Sequence, residues 1–423
     1  MKIKKKSLTI SILVSALLLL GSLPVIPAYA GNFSFVVFGD SRLPGNMNFT
    51  RDQQIGGGPI DRYIRANFNA GINDCLLRFS ANGRLAGMKI PKRGARYKDI
   101  VFNSAGWPEH ITDTSQSPRV TLMYDGQSWV YESVVKAVRA SGSEGFILHT
   151  GDIAYNGYYG TDPATSIYWR DFKERLLDQL PEGAPAGLHG RFFPAVGNHE
   201  TWLDPDMRGL LSTVPYLGKL DVSADRHIYS FDYGGSRFIF LDTGAYPPKD
   251  DWSPSSRPGF ARQMAELRRW LRDAQDTHIE HVFIALHKPP FCGAGHGHLF
   301  SEHNPHPYLV PFATDPSRPL DITVFSGHVH STEMYFKDTI RYLVLGGGGA
   351  DQVYRVNACE ASDPYCQGER YWHGESRRME YNYLSVAVDN ADIAFKLYRW
   401  RPGGATPYQT VLIDKGMNLR IEK

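Results

Sequence analysis

Five short stretches carry residue types suited to metal chemistry. In chain order they are Gly39-Asp40-Ser41-Arg42, Gly151-Asp152-Ile153-Ala154-Tyr155, Gly197-Asn198-His199-Glu200, Ile284-Ala285-Leu286-His287 and Gly327-His328-Val329-His330. Carboxylate, amide oxygen, imidazole and phenolate are hard to borderline donors that suit Fe, Zn or Mn rather than Cu(I). One carboxylate can bridge two ions. Two ions ~3.5–4 Å apart can clamp the attacking and leaving oxygens of an in-line phosphoryl displacement. Singly, each stretch carries little weight, since a lone Gly-Asp is usually a turn and a lone His is usually packed or exposed. Together, in one order, they describe a site.

The elements that must position these residues are legible around them. Phe33–Phe38, Phe146–His149, Phe192–Val196, Val282–Leu286 and Ile322–Phe325 are short apolar runs rich in β-branched or aromatic residues, and each reads as a buried strand. Helical patterns over Ser128–Ala140, Tyr168–Leu180 and Phe260–Ala274 lie between some of them. Strands alternating with helices indicate an α/β sheet, in which ligands collect at the carboxyl ends of strands. Each polar stretch follows a strand at that end. Glycine before Asp40, Asp152, Asn198 and His328 is expected to let the backbone turn sharply there. Tyr229–Tyr233 and Arg237–Leu241 around Gly234-Gly235 read as a hairpin, as do Tyr383–Val388 and Ile393–Trp400. Residues 43–125, with a hairpin expected at Asn82-Gly83, read as an insertion after the first strand. Residues 201–226 read as a second, loop-like insertion.

These motifs resemble those of the calcineurin-like metallophosphoesterases, and within them the purple acid phosphatases. The resemblance spans residues 33–350 less the insertion. It implies a four-layer αββα sandwich of two mixed sheets, with a dimetal site at the strand ends. It implies Asp152 as the bridging ligand, Asp40, Tyr155 and His330 on the first metal, and Asn198, His287 and His328 on the second. Many of these enzymes have His where this chain has Arg42, and the purple enzymes place a tyrosinate where Tyr155 stands. Both features point to Fe(III) in the first site, with Fe(II), Zn or Mn in the second. The implied reaction is hydrolysis of phosphate monoesters by metal-bound hydroxide, with an optimum below pH 7. His199 and His296 would protonate the leaving oxygen, and His298 competes with His296 for the position facing substrate. Arg42 is a candidate contact for substrate phosphate or a member of a surface pair. His303 and His306 are expected at the solvent surface. Gly346–Gly349 is not a phosphate loop, because no Gly-Lys-Ser/Thr follows; it resembles a glycine-rich turn near the family's site.

The chain ends and composition bound the setting. Lys2, Lys4, Lys5 and Lys6, the apolar run Leu8–Leu20 and Ala28-Tyr29-Ala30 have the form of a secretory signal cleaved near Ala30. The run is short of a ~20-residue membrane span, so a soluble secreted or periplasmic protein without a membrane anchor is expected, in one catalytic domain over 31–423. Four of the 46 basic residues precede residue 31, which leaves 42 against 44 acidic ones. That balance, with no basic block, excludes a nucleic-acid tail. Export would allow the four cysteines to oxidise. Cys359 and Cys366 sit in one Ser/Asp/Pro-containing loop, which favours a local bridge and leaves Cys75 with Cys292.

The expected partner is a phosphorylated small molecule or peptide. Two other readings stay open: a Mn- or Zn-dependent phosphodiesterase or nucleotidase on the same fold, and a non-catalytic phosphate-binding or surface interaction protein. The sequence does not specify the oligomeric state.

Overall fold

The structure is a computed structural model describing residues 32–42, 49–68, 70–92, 94–104, 106, 108–114, 120–123, 125–154, 167–201, 204–244, 259–293, 303–350, 370–373, 380–390, 392–401 and 406–422. Its strands are β1 (Phe33–Phe38), β2 (Leu76–Phe79), β3 (Leu85–Pro91), β4 (Tyr97–Phe102), β5 (Pro108–Asp113), β6 (Val120–Met123), β7 (Phe146–His149), β8 (Phe192–Pro194), β9 (Tyr229–Tyr233), β10 (Ser236–Phe240), β11 (His281–Ala285), β12 (Asp321–Ser326), β13 (Thr332–Lys337), β14 (Ile340–Leu345), β15 (Arg370–His373), β16 (Tyr381–Asp389), β17 (Asp392–Trp400), β18 (Gln409–Ile413) and β19 (Leu419–Glu422). The longer helices are α1 (Pro59–Phe68), α2 (Asp125–Ala140), α3 (Ile167–Arg175), α4 (Phe260–Asp276) and α5 (His306–Ala313).

Two seven-stranded mixed sheets make the body of the fold. The first runs β19-β18-β17-β16-β1-β7-β8 and the second β15-β13-β14-β12-β11-β10-β9. In the first, β1, β7 and β8 are parallel and β16 is antiparallel to β1. In the second, β10, β11, β12 and β14 are parallel. Both parallel sets are buried, which matches their near-continuous apolar sequence.

The sheets meet through aromatic rings. Phe35 of β1 lies 4.9 Å from Phe283 of β11 and 5.4 Å from Phe238 of β10, centroid to centroid, with the rings edge to face. Such pairs add to the area they bury. Strand alternation then gives β10 two roles. Phe238 and Phe240 join the cluster shared with the first sheet, while Ile239 joins the cluster beneath α4. Helix α4 presents Met264, Leu267 and Leu271 to that second cluster, at the spacing of one helical face. On the far side, Phe38 of β1 packs against Tyr131 of α2. The order is helix, sheet, sheet, helix, as expected from the sequence.

Strands β2 to β6 form a third, five-stranded antiparallel sheet within the 43–125 segment. Its first hairpin turns at Asn82-Gly83, with Gly83 in the left-handed region. Met88, Ile90, Ile100 and Ile111 join the same apolar cluster as β1 and β7.

Several expectations need correction. Residues 204–226, within the segment read as a loop-like insertion, are more regular than a loop: a short helix over Arg208–Thr213 and a 3-10 turn over Pro215–Leu220 bury Leu210, Val214 and Leu217. Cys75 and Cys292 are not joined in a disulfide. Cys75 packs at the edge of the first apolar cluster, whereas Cys292 is buried in the second, so the fold holds them apart. Cys359 and Cys366 lie outside the described residues. No helix among the described residues is long and apolar enough to cross a membrane, and the signal-like segment also lies outside them.

Candidate metal centre

Asp40, Asp152 and Asn198 lie just beyond the carboxyl ends of β1, β7 and β8, and His287, His328 and His330 just beyond those of β11 and β12. The first sheet thus contributes oxygen donors and the second contributes imidazoles. The turns are tighter than glycine alone explains. Asp40, Asp152, His328 and His330 themselves adopt positive φ, at 55°, 56°, 70° and 45°. That region is costly for residues with a side chain, and such strain gathers at functional sites. Of the preceding glycines, Gly151 has positive φ, and a Cβ there would also sit 2.7 Å from His287 Nδ1. At Gly327 the need is space, since a Cβ would stand 2.3 Å from Asp40 Oδ2. The glycine-rich turn packs on the same loops: Gly348 N–H donates to Gly39 O and Ala350 N–H to Asp40 O.

The donor atoms converge in two groups. In one, His287 Nε2 lies 3.0 Å from Asn198 Oδ1, 3.3 Å from Asp152 Oδ1 and 3.1 Å from His328 Nδ1. Neighbouring ligands of an ion with bonds of about 2.1 Å stand about 3.0–3.4 Å apart, so this group fits a metal. In the other, Asp40, Asp152 and His330 can each bring a donor atom within 4.8 Å of the rest. His330 Nε2 is 3.2 Å from Asp40 Oδ1. Arg42 also enters this group, with Nε 3.1 Å from Asp152 Oδ2 and Nη2 3.4 Å from His330 Nε2.

The second sphere aims these atoms. Thr150 O accepts from His287 Nδ1 at 2.8 Å, which turns the lone pair of Nε2 toward Asn198 and Asp152. Thr243 Oγ1 accepts from His287 N–H and Lys288 N–H. His328 N–H donates to Asp40 Oδ2 at 2.7 Å, and His199 N–H to Asp152 Oδ1 at 3.0 Å. Glu200 is fully buried. Its carboxylate accepts from the N–H groups of Asp152, Ile153 and Gly197 at 2.7–2.9 Å, and so clamps two strand-end loops together.

Burial and charge push the two central carboxylates in opposite directions. Burial, reinforced by Asp152, raises Asp40 to about 8 against the pull of His287 and Arg42. Burial also opposes ionisation of Asp152, yet His287, His199, Arg42 and His328 together hold it below the ordinary carboxylate range. A buried carboxylate pair of this kind calls for added positive charge. Burial, again reinforced by Asp152, lifts Glu200 to about 8 while its backbone N–H donors pull it back.

The sequence-derived site residues fall into three sets. Asp40, Asp152, Asn198, His287, His328 and His330 come together. Arg42 and His199 are buried beside Asp152, His199 with Nε2 3.8 Å from Asp152 Oδ2. Tyr155, His296 and His298 lie outside the described residues. Glu200 serves the backbone of residues 152–154 and 197. His306 is not a solvent-facing residue: it bonds Tyr342 and Asp338. His303 packs on Phe260. Sequence reasoning assigned no site role to Thr150 or Thr243. Their neighbours Gly151-Asp152 and the end of β10 were the available signal, but backbone and hydroxyl contacts leave no spacing to read.

Comparison with known proteins bears on the same residues. No curated protein matches the chain. Among solved structures it is similar to GAP50, "the anchor in the inner membrane complex of Plasmodium", at 17% identity over 70% of this chain and 85% of that one, with a TM-score of 0.43. It is also similar to the sulfate thiohydrolase SoxB of Thermus thermophilus, at 11% identity over 95% of this chain and 57% of that one, with a TM-score of 0.33. The family model of the calcineurin-like phosphoesterases matches residues 110–332, a span that contains Asp152, Asn198, His287, His328 and His330. With more than half of its length matched and these donors converging between its two sheets, the chain belongs to the calcineurin-like phosphoesterase family.

Proposed function

We propose that the chain is an exported, metal-dependent hydrolase of phosphate monoesters. The observation that carries this reading is the meeting of His287 Nε2 with Asn198 Oδ1, Asp152 Oδ1 and His328 Nδ1 at 3.0–3.3 Å. These four residues would hold the metal. When bound, it supplies Lewis-acid activation of water and neutralises charge on the phosphate oxygens. The protein does the positioning. Thr150 fixes the His287 tautomer, and Glu200 holds the Asp152 and Asn198 loops in register. His199, held at the edge of the same group by its own N–H, is the residue proposed to carry a proton to the leaving oxygen. The lysine-led apolar segment ending near Ala30 supports export.

Nitrophenolate release from p-nitrophenyl phosphate and bis(p-nitrophenyl) phosphate, before and after chelation, tests the proposal. Faster, chelator-sensitive monoester turnover is expected. A diester preference would move the chain to the phosphodiesterase reading, and no turnover with metal bound would leave a binding protein. The purple acid phosphatase reading makes a separate demand. Ferric iron on Tyr155 would colour the protein, lower the optimum below pH 7, and lose its colour in Tyr155→Phe.

A further inference from the structure

The Asp40 side of the centre contains a cation of its own. Arg42 is 5% exposed, and its backbone N–H is tied to Asp152 O at 3.1 Å, so its side chain starts inside the site. Its Nε reaches Asp152 Oδ2 at 3.1 Å, and its Nη2 lies 3.4 Å from His330 Nε2. Asp152 and His330 belong to the trio of residues, with Asp40, suited to a metal on this side. A guanidinium does not shed its proton in proteins. An ion bonded at about 2.0–2.2 Å to Asp152 Oδ2 and His330 Nε2 would meet a like charge already bonded to one of them and beside the other. Asp152 is therefore divided, with Oδ2 on Arg42 and Oδ1 3.3 Å from His287 Nε2. That is the arrangement of a carboxylate shared between two cations, one of them a side chain.

We propose that the Arg42 guanidinium takes the place of the first metal ion, and that the chain holds a single metal, at Asp152, Asn198, His287 and His328. The inference rests on the metal-dependent reading above and changes its stoichiometry. Arg42 is then a positioning residue. It neutralises the Asp40–Asp152 pair and holds Asp152 in place for the one ion that remains.

The test is elemental analysis of the full chain after equilibration with Zn²⁺ or Mn²⁺ and removal of excess. The wild-type protein is expected to retain one ion per chain, and Arg42→Lys, which keeps the charge, also one. Arg42→His should retain two, because it exchanges the cation for a ligand. Arg42→Gly should retain two as well, which covers the case in which the His variant does not fold. Two ions in the wild-type chain overturn the proposal and leave the phosphoesterase reading intact. One ion with no ester hydrolysis supports the proposal and removes that reading. No bound ion overturns the proposal, and so does a count of one in both the folded His and Gly variants.

Discussion

The two sheets equip their carboxyl edges differently. The first brings Asp40, Asp152 and Asn198, together with Arg42 and the clamp residue Glu200. The second brings His287, His328 and His330, with Lys288 next to the first of them. Neither edge is complete alone. His287, from the second sheet, is oriented by Thr150 O of the first, and Asp40, from the first, accepts from His328 N–H of the second. Left-handed backbone is also shared, with two non-glycine residues of this kind on each edge. The centre is thus a property of the docked pair of sheets, and the aromatic packing of Phe35 on Phe238 and Phe283 holds its halves together.

The comparison can be broken most severely at the imidazole edge. His287→Ala removes the atom that touches Asn198, Asp152 and His328. It should abolish metal retention and lower monoester turnover about 10³-fold or more, the several kcal/mol a metal contributes. His330→Ala should leave the metal count at the wild-type value if Arg42 is the other cation. Equal metal loss in the two variants, measured by elemental analysis, would show that the two donor groups are equivalent.

His199→Ala should retain metal and lose about 10²–10⁴-fold in kcat on alkyl phosphates. The loss on p-nitrophenyl phosphate should be smaller, because nitrophenolate leaves without a proton. Parallel losses on both esters would remove His199 from the acid role.

Glu200→Gln attacks the carboxylate edge without touching a ligand. It substitutes an amide where three short backbone N–H bonds converge. The expected cost is about 3 kcal/mol in urea unfolding, with metal affinity weakened about 10–100-fold. Unchanged stability would mean that the clamp is dispensable.

Behind that edge lies a support chain. Arg175 bonds Gln127, Gln127 bonds Ser41 O, and Asp171 sits beside Arg175 at 3.5 Å. Burial lifts Asp171 to about 6 against the pull of Arg175. Between pH ~4 and ~6 the unfolded chain is then ionised at this residue while the folded chain keeps its proton, so stability falls as pH rises through that window. Asp171→Asn should flatten this dependence and gain about 1–2 kcal/mol at pH 7, discounted for the lost Arg175 pair. Thermal unfolding at pH 4, 5, 6 and 7 would check the sign.

The smallest effect concerns Cys75, in the insertion. Burial, with Asp74 and Asp61, raises its thiol to about 11. Only about one part in 10³ is thiolate at pH 8, so iodoacetamide should label it far more slowly than a model thiol. Rapid labelling would show that the local burial is absent.

The strands and the ligand types were readable from the chain because both are local properties. An apolar run of four to six residues marks a buried strand, and Gly-Asp, Gly-Asn-His and Gly-His-x-His declare donors at its end. Hairpins at Gly234-Gly235 and Asn82-Gly83 were readable for the same reason, since turn chemistry acts over a few residues. The tertiary structure decided what depends on atoms distant in sequence. Thr150 aims His287 through a carbonyl that every residue possesses, so no residue type signals it. Cys75 and Cys292 cannot be paired by counting, because the fold assigns them to different apolar clusters. Arg42 could be a substrate contact or a member of a surface pair as far as its neighbours in sequence reveal. Only the meeting of the β1 loop with the β7 and β12 loops sets its guanidinium against Asp152 and beside His330, because charge acts through space and not along the chain.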